Sequence, residues 1–557
     1  MPVTMVTLEE PAFARRWGTS TPTGRRWNPR RLIGAALGGV LMGMAFPPMG
    51  WWWAAPAGVA LLVLSVSGAR LKLRQAAVLG AWSGSAFALS TVNWLSTVAP
   101  EALIGVVAYF AVWWALMLVG MSLVLRHRRG LMLIPWVWVL VEWLRSLFPF
   151  GGFPWARLGF AAVEGPWQWL IPYLGVYGLS FVQALLGACL AGVLITGARQ
   201  PRAAVAAVGG VTLALAIPGP WLDATRSSDR RDDSPNDIAV AVIQGGPQMP
   251  AASRSQRRTV LEAHARVTRD MAALSAEPLD LVIWPENATD IDPLEDDWAR
   301  RTVDAAVDAV AAPVVVGALT EAPDGTGRRL NQAILWRPGS GPGPTYTKSR
   351  LVPFGEYVPL RSVLAPVVPS RGRLPRDLLA VEGPPTLDVG PVDAGVLLCY
   401  EVAFDDKVQE AVRGGAGLLL VPSNNATYTG SSQPLQQLAI ERFRAVETAR
   451  AVLVASTTGV SAIISPDGEI VASLADGSSG WLSGRVGIGE GLTPAVRFGA
   501  TIGLVLAAGG AWAILLSLLA SPVAVPMTRT RGRDCHSWSL AQHRLEDAQQ
   551  SRPVDLA

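Results

Sequence analysis

Apolar residues cluster into long stretches between residues 32 and 220, and again between residues 498 and 520. A helix that spans a membrane needs about 20 consecutive, mostly apolar residues. The stretches that approach or exceed this length predict a polytopic α-helical membrane domain of about eight spans. The first two abut, so one of them could instead form a re-entrant hairpin. The candidate spans are 32–49, 51–69, 76–98, 102–125, 131–148, 169–198, 203–220 and 498–520.

Between the seventh and eighth candidate spans, short β-branched runs alternate with amphipathic segments, after a polar linker, RSSDRRDDSPND (226–237). This alternation is typical of an α/β domain whose sheets are covered by helices. The predicted strands are 238–245, 279–286, 313–319, 394–401 and 416–424, followed by the paired strands 452–459 and 461–468. The predicted helices are 258–274, 298–312, 405–415 and 433–451.

The composition agrees with a membrane protein that carries one large globular insert. The 557-residue chain is 50% hydrophobic and 16% charged, whereas globular domains carry about 25% charged residues. We therefore predict five segments along the chain. They are a basic N-terminus (1–31), a membrane domain of seven spans (32–224), a globular domain (225–495), an eighth span (496–522) and a polar tail (523–557).

Basic residues are distributed unevenly among the loops between the candidate spans. They precede the first span and follow the second, fourth, sixth and eighth, whereas the first and third junctions, PPMGW (47–51) and VAPEA (98–102), carry none. Because cytoplasmic loops carry an excess of Lys and Arg, we predict that both termini are cytoplasmic and that residues 225–495 lie on the outer face of the cell membrane. The same distribution accounts for the net charge of +4, so we expect no nucleic-acid binding.

Two features of the membrane part allow more than one interpretation. Many of the 22 tryptophans stand at the ends of candidate spans, where an interfacial aromatic belt accounts for them. Glu142 and Arg145 fall within or near the fifth span. Ionisable groups at membrane depth are functional candidates, but an ordinary ion pair explains this i, i+3 spacing equally well.

Three reactive side chains stand at or near the ends of predicted strands in the globular domain. Glu286 closes DLVIWPE, Cys399 closes AGVLLC, and Lys348 lies in TYTKSRLVPFGEYVP (345–359). Strand ends are where folds of this kind place their chemistry. Together the three side chains would form an acyl-transfer site. The thiolate would attack an ester or amide carbonyl, the carboxylate would take and return a proton, and the ammonium would stabilise the oxyanion and help to lower the thiol pKa.

Cys399 has a competing interpretation as an inert core residue, because unpaired cysteines are often buried. The predicted topology puts Cys189 in a span and Cys535 in the cytoplasmic tail, which leaves Cys399 without a disulfide partner on the outer side. There an unpaired thiol is a liability unless it is buried or used. The adjacent carboxylate of Glu401 and the other two strand-end groups favour a functional thiol.

Histidine spacing supports neither a metal site nor a Cys–His catalytic pair. The 4 histidines are scattered at positions 127, 264, 536 and 543, and only His264 lies in the predicted outer domain. We therefore expect a site that works without a metal or cofactor.

Four motifs together resemble the nitrilase superfamily, and specifically its membrane-embedded branch, the apolipoprotein N-acyltransferases. They are WPEN (284–287), YTKSRLVPFGEYVP (346–359), LLCYE (397–401) and VPSNN (421–425). The loop GFPWARLG (152–159) resembles the membrane domain of that family, so the resemblance extends over nearly the whole chain. It implies an α-β-β-α sandwich on a membrane bundle.

The resemblance also implies a reaction and the residues that carry it out. An acyl chain would move from a phospholipid to a cysteine as a thioester, and then to the α-amino group of the S-diacylglyceryl cysteine of an apolipoprotein. The implied partners are the phospholipid donor, the diacylglyceryl-modified apolipoprotein and the membrane, and no cofactor is implied. The implied catalytic residues are Glu286, Lys348 and Cys399, with supporting roles for Glu356, Tyr400, Glu401 and Asn424.

One motif departs from the family pattern, and one alternative function stays open. Where the family often has SN-D-x-W/F, this chain has SNNATY, with Asn425 in place of the Asp and Tyr428 as the nearby aromatic residue. The alternative is an exported, membrane-anchored nitrilase-type amidase that hydrolyses a small amide. Lipid substrates fit the spans better, because each buried CH₂ holds a lipid in the bilayer by about 0.8 kcal/mol. An inactive scaffold or a transporter-like protein fits less well, since the Glu, Lys and Cys are all present.

Overall fold

The computed structural model describes residues 28–68, 71–127, 129–196, 237–246, 254–275, 277–289, 291–364 and 377–520. Contacts divide the chain into one unit of residues 1–517 and a second unit of residues 518–557. The seventh candidate span, most of the basic N-terminus, nearly all of the polar linker and the whole polar tail lie outside the described residues. The division into five segments stays a prediction.

Each candidate span within the described residues contains a helix. Among the described residues, three segments are long and apolar enough to cross a membrane, namely Pro100–Val124, Gln168–Thr196 and Pro494–Leu519. The count of eight spans stays a prediction. The helices are α1 (Pro29–Met44), α2 (Ala54–Val66), α3 (Leu73–Thr91), α4 (Pro100–Val124), α5 (Gly130–Arg145), α6 (Ile171–Thr196), α7 (Arg254–Leu274), α8 (Asp297–Val310), α9 (Arg361–Leu364), α10 (Asp405–Arg413), α11 (Gln433–Thr448) and α12 (Pro494–Leu519).

The first two helices are shorter than the spans predicted for them. α1 has 16 residues and α2 has 13. Pro47 and Pro48 follow α1, and a proline disrupts a helix because it lacks an N–H group. The chain then turns at Gly50, whose φ of 62° suits glycine better than any other residue. Two short helices and a tight turn therefore stand where two consecutive spans are predicted.

The strands of the globular part form two six-stranded sheets, ordered β12-β1-β2-β3-β4-β5 and β11-β10-β9-β8-β7-β6. In each sheet three neighbouring strands are parallel, β1 to β3 in the first and β7 to β9 in the second. The strands are β1 (Asp237–Gln244), β2 (Leu281–Ile283), β3 (Val314–Glu321), β4 (Arg329–Arg337), β5 (Gly341–Thr347), β6 (Thr386–Asp388), β7 (Asp393–Val396), β8 (Leu418–Ser423), β9 (Val452–Ser456), β10 (Ser461–Ile464), β11 (Ile470–Leu474) and β12 (Gly480–Gly487).

The two sheets pack face to face and are covered by helices on both sides. Val242 and Ile283 of the first sheet share one core with Val396 and Leu453 of the second. Helices α7 and α8 pack on the other face of the first sheet, and α10 and α11 pack on the other face of the second. This is the α-β-β-α layering that the resemblance to the nitrilase superfamily implies.

Helix α11 also contacts the membrane part, with which it shares a continuous apolar core. Its Gln436 makes hydrogen bonds to three segments of that part. The side-chain oxygen accepts hydrogen bonds from the indole N–H groups of Trp94 and Trp155, both at 3.0 Å. The side-chain nitrogen donates to the carbonyl oxygens of Pro47 and Thr91. Helix α11 therefore joins the second sheet of the globular part to the membrane part.

Most predicted strands are present but shorter than predicted. One predicted strand extends too far along the chain. The predicted strand 394–401 ends at Val396, and a 3₁₀ turn follows at Cys399–Ala403. Cys399 has a φ of 54°, which no β-strand accommodates. Several strands of the antiparallel edges escaped prediction because they lack continuous apolar runs, as in GPGPTYT of β5.

Candidate active site

The ammonium group of Lys348 lies between two carboxylates. Its Nζ donates to Oε1 of Glu286 at 2.7 Å and to Oε1 of Glu356 at 2.9 Å. The Lys348 side chain is only 1% exposed. Burial alone would lower the pKa of the ammonium, but the two carboxylates outweigh burial and raise that pKa well above its ordinary value. Lys348 is therefore a fixed positive charge at neutral pH.

Segments that follow four strands bring these side chains together with a thiol. Glu286 comes after β2, Lys348 after β5, Cys399 after β7 and Asn424 after β8. The backbone N–H of Asn424 donates to Oε2 of Glu286 at 3.0 Å, and the charges of Glu286 and Lys348 both act on the thiol of Cys399. The cluster thus draws on strand ends of both sheets, the placement expected for chemistry in folds with parallel strands.

Asn331 of β4 holds the two carboxylates in place, and sequence reasoning missed it. Its Nδ2 donates to Oε1 of Glu286 at 2.7 Å and to Oε1 of Glu356 at 2.9 Å, the same oxygens that Lys348 contacts. The N–H of Val352 binds the other oxygen of Glu356 at 2.7 Å. The one available signal was a polar residue inside an otherwise mostly apolar run, LNQAILW.

Cys399 is half-buried, and its thiol rests in its neutral form. Its sulfur lies 3.9 Å from Oε1 of Gln437. Burial and the carboxylate of Glu286 raise the thiol pKa, whereas Lys348 and the N–H of Asn424 lower it, and the net effect is a raised pKa. The expected influence of Lys348 is present, but burial outweighs it. A base must therefore take the thiol proton during attack, rather than before it.

Glu401 joins the segment that carries the thiol to the segment that carries the ammonium. Its Oε1 accepts hydrogen bonds from the hydroxyl of Tyr346 at 2.9 Å and from the N–H groups of Ser349 at 2.8 Å and Arg350 at 3.0 Å. Its Oε2 accepts from the N–H of Leu398 at 2.9 Å. Glu401 thereby sets the distance between the two segments.

Tyr400 points into an aromatic cluster that includes a loop of the membrane part. Its ring is stacked near Phe153 and Trp155, with centroid distances of 6.3 Å to each, and meets Phe404 edge-on at 4.9 Å. Such aromatic pairs add stability beyond the area that they bury. A role for Tyr400 in shaping the site stays a prediction.

Asn425, where the chain departs from the family pattern, belongs to a buried amide network behind the thiol. Its Nδ2 donates to the side-chain oxygens of Gln433 at 2.8 Å and Gln437 at 3.1 Å, and its Oδ1 accepts from the hydroxyl of Ser456 at 2.6 Å. An aspartate could not donate the first two bonds. The asparagine therefore orients Gln437, the residue whose oxygen faces the sulfur. Tyr428 packs edge-on against a tryptophan of the membrane part.

The carboxyl group of Glu441 adjoins this network and makes stability depend on pH. Gln437 donates to its Oε1 at 3.0 Å, and burial raises the pKa of Glu441 from 4.5 to about 8. Below pH 4.5 the group is protonated in both states. As pH rises towards 8, the unfolded chain releases the proton and the folded chain keeps it, so the folded state loses stability.

Glu441→Gln cannot ionise and is expected to remove this loss. Relative to the native chain, the variant should gain about 1.4 kcal/mol of unfolding free energy per pH unit inside that window. Thermal unfolding in detergent near both ends of the window measures the gain. The same substitution at the exposed Glu469 is the control. Equal pH dependence for Glu441→Gln and the native chain would contradict the assignment.

The structure gathers most of the predicted site residues but not all of them. Tyr400 and Glu401 lie in the same turn as the thiol, yet their side chains bind other groups. No set of three or more His, Cys, Asp or Glu in the part of the chain that the structure describes could hold a metal ion. The catalytic roles and the absence of a cofactor stay predictions. Hydrogen bonds connect Glu286, Lys348, Glu356 and Asn424, and Cys399 lies close enough for the charges of Glu286 and Lys348 to act on its thiol.

Comparison with known proteins matches both parts of the chain. Residues 38–189 match the family model described as the apolipoprotein N-acyltransferase N-terminal domain, and residues 239–489 match the carbon-nitrogen hydrolase model. Among solved structures, Saccharomyces cerevisiae Nit3 of the nitrilase superfamily is similar to this chain. The match covers 53% of this chain and 97% of Nit3, at 20% identity and with a TM-score of 0.35.

Curated relatives match over most of their length. An apolipoprotein N-acyltransferase of Mycolicibacterium smegmatis is 32% identical over 520 residues, which is 87% of this chain and 85% of the relative. One of Photobacterium profundum is 27% identical over 501 residues, 84% of this chain and 91% of the relative. Because the match runs through the membrane part as well as the nitrilase-like sandwich, the chain belongs to the apolipoprotein N-acyltransferase family.

Proposed function

We propose that this chain transfers a fatty acyl group from a phospholipid, through a thioester on Cys399, to the α-amino group of the S-diacylglyceryl cysteine of apolipoproteins. Its relatives are named apolipoprotein N-acyltransferase. The observation that carries the proposal is the position of Lys348 between Glu286 and Glu356, near the half-buried Cys399, on whose thiol these charges act. A neutral thiol, a base and a fixed cation are the groups that acyl transfer requires.

In the first half-reaction, Cys399 attacks the ester carbonyl of the phospholipid. Glu286 takes the thiol proton as the C–S bond forms, and the carbonyl oxygen becomes an oxyanion. The ammonium of Lys348 and the N–H of Asn424 stabilise this negative charge. When the tetrahedral intermediate collapses, the C–O bond breaks, Glu286 returns the proton to the leaving oxygen, and a lysophospholipid departs.

In the second half-reaction, the α-amino group of the lipoprotein attacks the thioester carbonyl. Glu286 accepts a proton from the amine, and the same cation stabilises the second oxyanion. The C–S bond then breaks, and Cys399 recovers its proton from Glu286 while the new amide leaves. After both half-reactions, Cys399 and Glu286 are back in their starting protonation states, and the acyl group is on the lipoprotein.

A membrane setting supports lipids as both substrates. Three described helices are long and apolar enough to cross a bilayer, and the distribution of basic loops favours an outer-face domain with cytoplasmic termini. A diacylated substrate stays in the bilayer, because removing it exposes every CH₂ at about 0.8 kcal/mol each. A site held at the membrane by helices can meet such substrates without extracting them fully.

The proposal is tested with the full-length chain in vesicles whose phospholipid carries a labelled acyl chain. We expect label on the protein that hydroxylamine removes, and subsequent transfer of that label to a diacylglyceryl lipopeptide with a free N-terminus. An N-acetylated lipopeptide of the same sequence is the control and should accept nothing. If the label instead appears as free fatty acid whether or not the acceptor is present, or if small amides are consumed, the chain is a hydrolase.

A further inference from the structure

Arg157 reaches from the loop between α5 and α6 to the chain just beyond the nucleophile. Its two terminal nitrogens bind both oxygens of Asp405, at 2.5 and 2.8 Å, and one of them also donates to the carbonyl oxygen of Ala403 at 2.8 Å. The Arg157 side chain is 1% exposed. A bidentate arginine–carboxylate pair of this kind fixes orientation as well as distance.

A second guanidinium approaches the same segment from α11. Arg444 donates to the carbonyl oxygens of Val402 at 2.9 Å and Ala403 at 3.1 Å, and to Oδ1 of Asp405 at 2.7 Å. The ring of Phe160 lies against both arginines, 4.8 Å from the guanidinium carbon of Arg157 and 5.2 Å from that of Arg444. Both guanidinium groups therefore hold residues 402–405.

The turn that carries the thiol needs such support. Cys399 has a φ of 54°, a conformation that is unfavourable for a residue other than glycine and persists only where the surroundings enforce it. The turn Cys399–Ala403 is a single short 3₁₀ segment, so little helix hydrogen bonding holds it. Glu401 anchors the turn towards Lys348, and the two arginines anchor its far end.

The loop that presents Arg157 is itself fixed to α5. Oε1 of Glu142 accepts a hydrogen bond from the N–H of Leu158 at 2.7 Å. Arg145 donates to the carbonyl oxygens of Phe153 at 2.6 Å and Trp155 at 2.9 Å. Hydrogen bonds to α5 therefore fix this loop on both sides of Arg157.

We propose that Arg157 is a positioning residue for acyl transfer, which holds the Cys399 turn in register with Lys348 and Glu286 by binding Asp405 and the Ala403 carbonyl. The inference rests on the proposed function. If Arg157 has this role, the sulfur of Cys399 is placed correctly only when the membrane part packs correctly against the globular part. Because attack requires near-attack geometry, a displacement of about 1 Å costs about 100-fold in rate.

The test measures thioester loading in a single turnover, with vesicles that contain increasing fractions of labelled phospholipid. For Arg157→Met we expect the maximal loading rate to fall by about 10- to 100-fold, with no change in the phospholipid fraction that gives half the maximal rate. Arg157→Lys should recover part of the rate, because an ammonium can pair with Asp405 but cannot bind it with two nitrogens.

Arg442→Met is the matched control. Arg442 also links α11 to the membrane part, by an ion pair with Glu164, and donates to the carbonyl oxygen of Gly468, but it does not bind the Cys399 turn. It should load at the native maximal rate. An equal loss in Arg442→Met, or a native maximal rate in Arg157→Met, overturns the inference.

Two further outcomes separate a wrong inference from a wrong function. If Arg157→Met does not fold, as judged by thermal unfolding, Arg157→Lys decides, and a native maximal rate in that variant overturns the inference. If the native chain itself forms no thioester, the proposed function fails, whatever the Arg157 variants do.

Discussion

Cys399→Ala is expected to form no hydroxylamine-labile acyl adduct and to transfer no acyl chain to a lipopeptide acceptor. Alanine cannot form the thioester through which both half-reactions pass, and removal of a catalytic nucleophile costs on the order of 10⁶-fold in rate. The fold should survive, because the sulfur makes one long contact, 3.9 Å from Gln437. Loading from labelled phospholipid and the thermal unfolding midpoint are measured on the same preparation.

Cys189→Ala is the matched control for this loss. Cys189 is also an unpaired cysteine and lies in α6, so it reports any general effect of removing a thiol from the chain. It should load and transfer as the native chain does. Transfer by Cys399→Ala at a measurable fraction of the native rate would exclude the thioester route and would reopen the assignment of every group around it.

Lys348→Met is expected to lose both acyl loading and stability. Without the ammonium, the buried Glu286 and the partly buried Glu356 have no cation between them, and removing one partner of a buried ion pair costs about 3–5 kcal/mol. The oxyanion also loses a stabilising charge, which is worth about 100- to 1,000-fold in rate. Loading is measured at a temperature at which the variant is folded, and stability is measured by thermal unfolding.

Lys407→Met is the control that shows whether the loss of any buried lysine reduces acyl loading and stability in the same way. The Lys407 side chain is 3% exposed and pairs with two carboxylates, but those of Glu382 and Glu410 are 66% and 46% exposed. Water can solvate them after the substitution, so a much smaller loss of stability and native loading are expected. Equal losses in both lysine variants would mean that Lys348 has only a structural role.

Residue type and local periodicity predicted Glu286, Lys348 and Cys399 as a candidate site, because strand ends are where such folds place their chemistry. Glu356 and Asn424 were implied only by the resemblance to a known family. The same reasoning missed Asn331, whose partner Glu286 is 45 positions away in the chain, and Arg157, whose partner Asp405 is 248 positions away. Neither residue lies in a local pattern that identifies its partner.

The sequence also predicted the wrong local structure where the strand preference of the residues differs from the conformation that tertiary contacts enforce. The run AGVLLCYE predicts a strand through Glu401, yet the strand ends at Val396 and the thiol lies in a turn with a φ of 54°. The carboxylate of Glu401 accepts hydrogen bonds from the N–H groups of Leu398 and Ser349 and from the hydroxyl of Tyr346, and these bonds hold that turn. Those contacts outweigh the strand preference of the apolar residues.

By itself, the sequence determined that the chain has a membrane part and an α/β part with a thiol, an ammonium and carboxylates at strand ends, because periodicity and residue type are local properties. Only the tertiary structure decided that the thiol is neutral at rest, that Glu401 joins two segments, and that an arginine of the membrane part binds the Cys399 turn. Burial, pKa and hydrogen-bond geometry depend on which distant segments pack together, and no stretch of sequence specifies that alone.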